Sequence, residues 1–496
     1  METRNETDVL VCGAGATGLV LAIELARRGV RFQLVEVRER PFHGSRGKGL
    51  QPRSLEIFAM LGVLDRLAAA GGPYPPLRRY RPDGRHAEVA VAESGPPTPA
   101  EPHPLPLMVA QATTEAILRE RLLELGHRPR FGHALVGLAQ DADGVTARIA
   151  GPEGVRTVRA RYLVGADGGR SFVRRALGIG FPGRTLGQRA LVADIVLEGL
   201  GREAWHQFGE GGERLAMLCP LMGTDLFQLQ AAVPPDGEVG LSAAALEALV
   251  RERSGLPGLR VREVHWASVY TMNARLAERY RDGRVFLAGD AAHVHPPTGG
   301  QGLNTSVQDA WNLGWKLAAV LAGAPDALLD TYEAERRPVA AGMLEMSTRL
   351  LGQARRGELR RDRETRQLDV GYRGGPLAPA ATCPAAVQPG DRAPDARLLG
   401  AAGQSRRVFE LLAGPHWTLL ATGTPVPARP GLRVHRIGPK AELRDVHGDF
   451  AAAWGLPPGG WALVRPDGYL ARIGTEDDLP ELEGWLQPLL PAPATT

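Results

Sequence analysis

Apolar positions follow the same two rhythms, a short run and then a helical repeat, at both ends of the first 350 residues. Val9-Leu10-Val11-Cys12 is a continuous apolar run after Asp8, the length of a buried strand, and Leu19, Ile23 and Leu25 then recur on helical spacing. Gly29 is placed to end that helix and Arg31 to Glu36 reads as a second strand, which makes a βαβ unit. The order returns later. Val285-Phe286-Leu287-Ala288 predicts a strand, and a helix starting near Leu303 places Val307, Ala310, Trp311, Gly314 and Leu317 on its buried stripe. Between them lie a helix over Thr114–Leu125 and three strand-like runs, 190–197, 215–219 and 226–233, separated by Gly, Pro and Asp. That spacing predicts an antiparallel sheet. Gly71 to Pro106 is proline-rich, with a strand-like fragment at 87–91. Towards the end, 355–373 reads as an arginine-dense helix running into a loop, and 417–420 and 461–470 read as strands, the latter a hairpin.

The turns between these elements carry the chemistry. Gly13-Ala14-Gly15-Ala16-Thr17-Gly18 joins the first strand to its helix with the spacing of a dinucleotide-binding turn. Gly13 allows the turn, Gly15 lets a pyrophosphate approach the backbone, and Gly18 lets helix pack on strand. The helix N-terminus offers free N–H groups and partial positive charge to phosphates. Glu36, ending the second strand, is placed to bind an adenosine ribose hydroxyl. This turn does not distinguish NAD from FAD; the later motif does. Gly289-Asp290-Ala291-Ala292-His293 ends a strand with an acid that can accept hydrogen bonds from a polyol. Pro296-Pro297-Thr298-Gly299-Gly300-Gln301-Gly302-Leu303-Asn304 is a loop with few side chains, where a flat ring can lie against backbone. The helix beyond points its positive end at that loop, where a flavin gains negative charge on reduction.

Together these motifs resemble those of the class A flavoprotein aromatic hydroxylases, the single-component FAD monooxygenases, over roughly residues 5–350. Ala166-Asp167-Gly168-Gly169-Arg170 is similar to the family's Asp-Gly motif, which serves flavin and pyridine nucleotide. Arg46, in Ser45-Arg46-Gly47, is similar to an arginine that reaches the FAD pyrophosphate, and Gln111 to a glutamine on the ribityl side. The resemblance implies an α/β fold: a Rossmann-like FAD-binding domain (1–180, with a proline-rich insert at 71–107, and 275–365), an inserted antiparallel substrate-binding sheet (181–274) and a thioredoxin-like C-terminal domain (385–496). It implies FAD contacts at Gly13, Gly15, Thr17, Gly18, Glu36, Arg46, Gln111, Asp167, Asp290, Gly302, Leu303 and Asn304, with Pro297, Gly299 and Gly300 flanking the reacting edge. The implied reaction uses NADPH or NADH and dioxygen to hydroxylate an electron-rich aromatic ring through a C4a-hydroperoxyflavin. Resemblance to antibiotic-tailoring members points to a polycyclic, polyketide-type substrate.

Composition narrows the alternatives. A chain of 496 residues is too long for one ordinary core, so several domains are expected. No apolar run reaches bilayer length and residues 1–8 are polar, so the expectation is a cytoplasmic protein without a membrane partner. The net charge of +4 resides almost wholly in arginines interspersed with acids, lysine occurring only at 48, 316 and 440. That pattern, with abundant Ala, Gly and Pro, reads as GC-rich codon usage rather than a nucleic-acid surface. Cys12, Cys219 and Cys383 are too few and scattered for a disulfide framework or metal site, and the tail has no Cys-x-x-Cys for redox work. A monomer or homodimer is expected, with the tail structural or oligomeric in role.

Some residues invite other chemistry. Asp290, His293 and His295 have the elements of a metal site, but the prolines and glycines after them suit a flat cofactor, so no metal is expected. Ser171, His293 and Asp167 lack the nucleophile elbow of a hydrolase. Trp205, His206, Gln228, Trp266 and Tyr270 lie on the inserted sheet or its edge. Of these, His206 and Gln228 are the favoured substrate contacts, because a polar group on a sheet face over a flavin needs a partner. No general base is assigned. No second Gly-x-Gly-x-x-G follows a strand, so the nicotinamide must share the surface around the flavin. Two other readings stay open: a Baeyer–Villiger or epoxidising flavoprotein acting on a polyketide, and a non-catalytic FAD-fold binding protein.

Overall fold

The computed structural model describes residues 6–91, 95–209, 214–355, 361–423 and 429–490. Its first sheet is built on the strand Glu6–Cys12, flanked in parallel by Phe32–Glu36 on one side and Gly154–Gly165 on the other. Val285–Leu287 extends the parallel set beyond Gly154–Gly165, and Arg130–Phe131 extends it beyond Phe32–Glu36. The inner half of the central strand, Val9–Cys12, is apolar and buried beneath helix Ala16–Arg27, which in turn packs on helices Gln111–Glu124 and Gly302–Leu321. The ends of these parallel strands meet at the Gly13 turn, the Ala166-Asp167 turn and Gly289-Asp290, the crevice where open α/β sheets bind ligands. Gly13 lies at φ +108°, and a Cβ there would stand 2.2 Å from the Ala166 carbonyl oxygen. Only glycine lets the two turns touch.

A second sheet stands over that crevice. Among the described residues its order is 293–294, 260–276, 183–198, 226–233, 216–220, 205–208, 77–80 and 86–89. All neighbours are antiparallel except Trp205–Phe208 beside Leu77–Tyr80. The proline-rich stretch therefore contributes two strands to the second sheet, rather than standing as an insert of the first. The longest strand, Arg260–Leu276, has no counterpart among the strand-like runs picked out in the sequence. Alternation divides the sheet's faces. One face buries Leu191, Ala193, Ile195, Phe208, Leu218, Phe227 and Leu229 against helix Ala243–Ser254. The other brings Trp205, Cys219, Gln228, Asp194 and Trp266 side by side in register, facing the first sheet's loops.

The expected charged helix after Arg355 is not formed. The long helix is Asp330–Arg355; residues 356–360 lie outside the described ones, and 361–373 hold only a 3-10 turn at Arg363–Arg366. Asp362 accepts the amide of Glu364, Gln367 turns left-handed at φ 61°, and Arg363 is bound by Glu101 and Asp369, so local side-chain bonding replaces the helix. In the tail, strands run in the order 432–436, 417–421, 461–464, 470–474, parallel in the first pair and antiparallel after it. That is a thioredoxin-like arrangement, though its parallel crossover spans only residues 422–431, below the dozen or more such a connection usually takes. The tip of the 461–474 hairpin is inserted into the first unit. The Asp467 carbonyl accepts from Arg53 and Trp311, and its carboxylate from Trp315 and Arg465.

Candidate functional site

A cavity of about 610 Å3 runs along the crevice. Glu36 and His133 line one end, Gly15, Thr17, Asp167 and Asp290 the middle, and Lys48, Pro297 and Gly300 the other. The helix Ala16–Arg27 opens on this cavity with Gly15 at its cap, a residue with no side chain to cap the first N–H groups. Gly18 is required by close packing: a Cβ there would lie 1.9 Å from the Gly13 carbonyl oxygen. Glu36 is held beside the turn, its carboxylate accepting the amides of Ala14 at 2.8 Å and Arg38 at 3.0 Å.

Asp167 accepts from the Phe172 and Val173 amides through Oδ2, while Oδ1 is buried and without a partner among the described residues. A buried acceptor in that state calls for a ligand donor. The carboxylate of Asp290 is accessible only from within the cavity, so it has exposed surface although protein encloses it. That enclosure raises its pKa, against the pull of His293 and Arg46. Arg46 reaches across the opening, its guanidinium stacked on Phe42 at 5.6 Å and Trp266 at 5.8 Å. Gln111 ties helix to loop: its Oε1 accepts the Gly47 amide and its Nε2 donates to Glu115.

At the far end the loop is fixed by amides. Gln51 donates its side chain to the Gly299 carbonyl and its backbone N–H to Asn304, whose Nδ2 donates to the Gly49 and Gly300 carbonyls. Helix Gly302–Leu321 then begins with no side-chain cap, leaving the N–H groups around Leu303 and Asn304 for a ligand. Pro297 and Gly300 line the cavity. Gly299 does not; a Cβ on it would stand 2.8 Å from Leu350, and its carbonyl is taken by Gln51 and Gln301.

The two favoured substrate residues part company. Gln228 lies on the cavity-facing side of the second sheet, wholly buried, and bonds the Ser45 carbonyl and Lys48. His206 is one residue out of phase and faces away. It bonds Tyr80 at 3.0 Å and the Gly201 carbonyl at 2.9 Å, stacked beside Phe208 in the outer core. His293 is bound to Asp309 at 2.6 Å and to His295, and Asp309 also accepts from Arg336 and the Gly289 amide. Burial opposes ionisation of Asp309, but His293 and Arg336 outweigh it and hold its pKa down. The histidines thus brace the Gly289-Asp290 turn from behind. Sequence reasoning missed Lys48, Asp194 and this bracing; the rarity of lysine in the chain was the available signal for the first.

The residues present fit an FAD: a phosphate-binding turn, a ribose acid, an unpartnered acceptor and an enclosed acid mid-cavity, and a bare loop before an uncapped helix. The comparisons agree. Residues 6–347 match the family model described as an FAD binding domain. A flavin-dependent monooxygenase of Mycobacteroides abscessus is 40% identical over 484 residues, 96% of this chain and 98% of that protein. The 6-methylpretetramide 4-monooxygenase of Streptomyces rimosus is 34% identical over 98% of this chain and 94% of its own. The crystal structure of aklavinone-11 hydroxylase with FAD and aklavinone superposes with a TM-score of 0.83 at 32% identity, covering 98% of this chain and 99% of that one. With its crevice, its covering sheet and its whole length shared with these proteins, the chain belongs to the class A FAD-dependent aromatic hydroxylases and is a flavin-dependent monooxygenase.

Proposed function

We propose that the protein hydroxylates a fused-ring, polyketide-type phenol held between the second sheet and the 296–304 loop, using NADPH or NADH and dioxygen. The observation that carries this is the sheet's cavity-facing side. Its central positions hold Val192, Asp194, Met217, Cys219, Gln228, Gln230 and Trp266, a broad surface of apolar groups and amides with one carboxylate, and no arginine among them to select a small carboxylate. Relatives that act on 6-methylpretetramide and aklavinone support the same substrate class.

An FAD held here would supply hydride acceptance from the nicotinamide and activation of dioxygen. The chain's residues position and shield. Gly13, Gly15 and Thr17 would take the pyrophosphate at the helix N-terminus, with Gly18 holding helix against turn behind them, Arg46 across the opening and Glu36 on the adenosine ribose. Asp167 Oδ1, Asp290 and Gln111 serve the ribityl chain. The uncapped N–H groups at Gly302, Leu303 and Asn304 stabilise negative charge on the ring's pyrimidine edge. Pro297 and Gly300 flank the reacting edge, and Gly299 shapes the loop from outside. The second sheet excludes water from the reaction.

Residues 1–180 and 275–365 act as the cofactor unit, 181–274 with strands 77–80 and 86–89 as the roof, and 385–496 as a structural tail. Use of NAD(P)H supports a cytoplasmic location for the enzyme, and the proposed state is a monomer or homodimer. No helix among the described residues is long and apolar enough to cross a membrane. The test is NADPH oxidation by the holoenzyme against polycyclic phenols, aklavinone among them, and simple hydroxybenzoates. Stimulation by the fused-ring phenols is expected; stimulation by a small hydroxybenzoate alone overturns the substrate class.

A further inference from the structure

Two ionisable side chains are buried where the roof meets the flavin loop, and nothing above uses them. Lys48 leaves the 45–49 loop and crosses to the sheet with only 7% of its surface exposed. Its ammonium donates to Gln228 Oε1 at 2.5 Å and stands 4.4 Å from the centre of the Trp205 ring. An ammonium has three N–H donors; among the described residues, Gln228 is the one acceptor it meets. Asp194 sits beside Gln228 in sheet register and is fully buried; the hydroxyl and amide of Ser45 approach it, but at a geometry that satisfies neither carboxylate oxygen. No direct ion pair joins Lys48 to Asp194, although each feels the other's charge.

Two opposite charges left apart and incompletely bonded, one lining the cavity and the other buried behind Gln228, are costly unless a ligand completes them. Lys48 also lines the flavin cavity, at the end where Pro297 and Gly300 stand. We propose that Lys48 and Asp194 are the pair that receives the substrate's phenolic hydroxyl: Lys48 Nζ holds the oxygen and Asp194 takes the proton. The O–H bond breaks, its electron pair stays on the phenolate oxygen facing the ammonium, and the proton ends on a carboxylate oxygen of Asp194. No oxidant or reductant enters this step. A phenolate is the more electron-rich ring, so the transfer activates the carbon that is to be hydroxylated.

The surroundings suit both roles. Burial raises the Asp194 carboxyl to about 6, with Ser45, Lys48 and His265 pulling it back, so it accepts a proton near neutral pH. Burial lowers Lys48, aided by Arg361 and opposed by Cys219 and Asp194. Tyr74 is buried close to Arg361 and Cys219, with its phenol pushed well up and therefore neutral. An added phenolate restores to Lys48 the counter-charge that the protein withholds.

This proposal rests on the aromatic-phenol reading, and its test separates the two. The probe is 1,8-dihydroxyanthraquinone, a fused-ring phenol whose visible colour reports its ionisation. It is bound to the FAD-loaded enzyme and titrated from pH 6 to 10. In the wild type the bound dye should ionise about one to three pH units below the free dye. Lys48→Met should abolish that shift, Lys48→Arg should restore part of it, and Asp194→Asn should slow hydroxylation with the dye still held as phenolate. FAD content, read at 450 nm, should stay the same in all three variants. Equal ionisation in wild type and Lys48→Met overturns the pair while leaving the substrate class intact. Failure of the dye to bind the wild type overturns both.

Discussion

The chain buries two of its three lysines, and their surroundings differ. Lys316 donates to Asn312 and Glu335 at 2.8 Å each, and Glu335 in turn takes two hydrogen bonds from Arg465, which grips Asp467. Every charge there is matched, and the cluster fastens the tail hairpin to helices Gly302–Leu321 and Asp330–Arg355. Lys48 meets an amide oxygen and an aromatic face, with a carboxylate nearby that Ser45 approaches without satisfying it. A saturated cluster holds parts together; an unsaturated one beside a cavity awaits a ligand. The same residue type, equally buried, is structural in one place and chemical in the other.

Breaking the saturated cluster should have the largest effect. Glu335→Ala removes the only carboxylate that Lys316 pairs with among the described residues and leaves Arg465 with Asp467 alone, one acid for two buried cations, and should cost about 3–5 kcal/mol. Urea unfolding checks this, and loss of the tail's proteolytic protection should accompany it. A loss under 1 kcal/mol would mean that the hairpin is held by its apolar contacts alone.

The pH dependence of stability should carry opposite signs from the two regions. Asp194 is raised from 3.8 to about 6 on folding, so between those values the folded chain holds a proton that the unfolded chain has lost. Its contribution therefore grows as pH falls from about 7 to 4, by roughly 3 kcal/mol, and Asp194→Asn removes that growth. Glu335 is lowered from 4.5 to about 2, so its contribution is complete above 4.5 and is lost as pH falls through 2. Unfolding free energies measured from pH 7 to 3 in the parent and Asp194→Asn should differ most near pH 7, where Asp194 is ionised, and converge near pH 4.

Asp290 sharpens the comparison from the cofactor side, since it too is enclosed and open only to the cavity. Asp290→Ala should weaken FAD binding by roughly 1.5–3 kcal/mol, the loss of a charge-assisted hydrogen bond, and yield largely colourless protein. Retention of FAD at the parent's affinity would move the flavin away from this acid. The smallest effect belongs to Lys48→Met, which removes an under-bonded cation. Its stability should change by less than about 1 kcal/mol, or rise.

What could be read in the sequence follows the range of the forces involved. The βαβ turn, Glu36 and the 289–304 loop were legible because their chemistry is local: a glycine at φ +108° and an acid at a strand end depend on a few neighbours. His206 was misplaced because sheet phase is set by pairing with distant strands, and a shift of one residue exchanges faces. Arg260–Leu276 escaped notice because register shifts interrupt its pairing near Asp194 and Val196, which blurs the alternation along it. Lys48 and Asp194 lie 146 positions apart in the sequence, and only the packing of roof on loop brings them together. The Lys316 cluster likewise depends on the docking of a hairpin 149 residues away.

The most direct test of the functional account is the fate of labelled dioxygen. The FAD-loaded enzyme is given NADPH, oxygen-18 gas and aklavinone or a related fused-ring phenol, and the products are read by mass spectrometry. The account predicts a hydroxylated phenol carrying one oxygen-18 atom, with NADPH consumed in step. NADPH oxidation that yields only hydrogen peroxide with every fused-ring phenol offered, while 4-hydroxybenzoate gains the label, would contradict it.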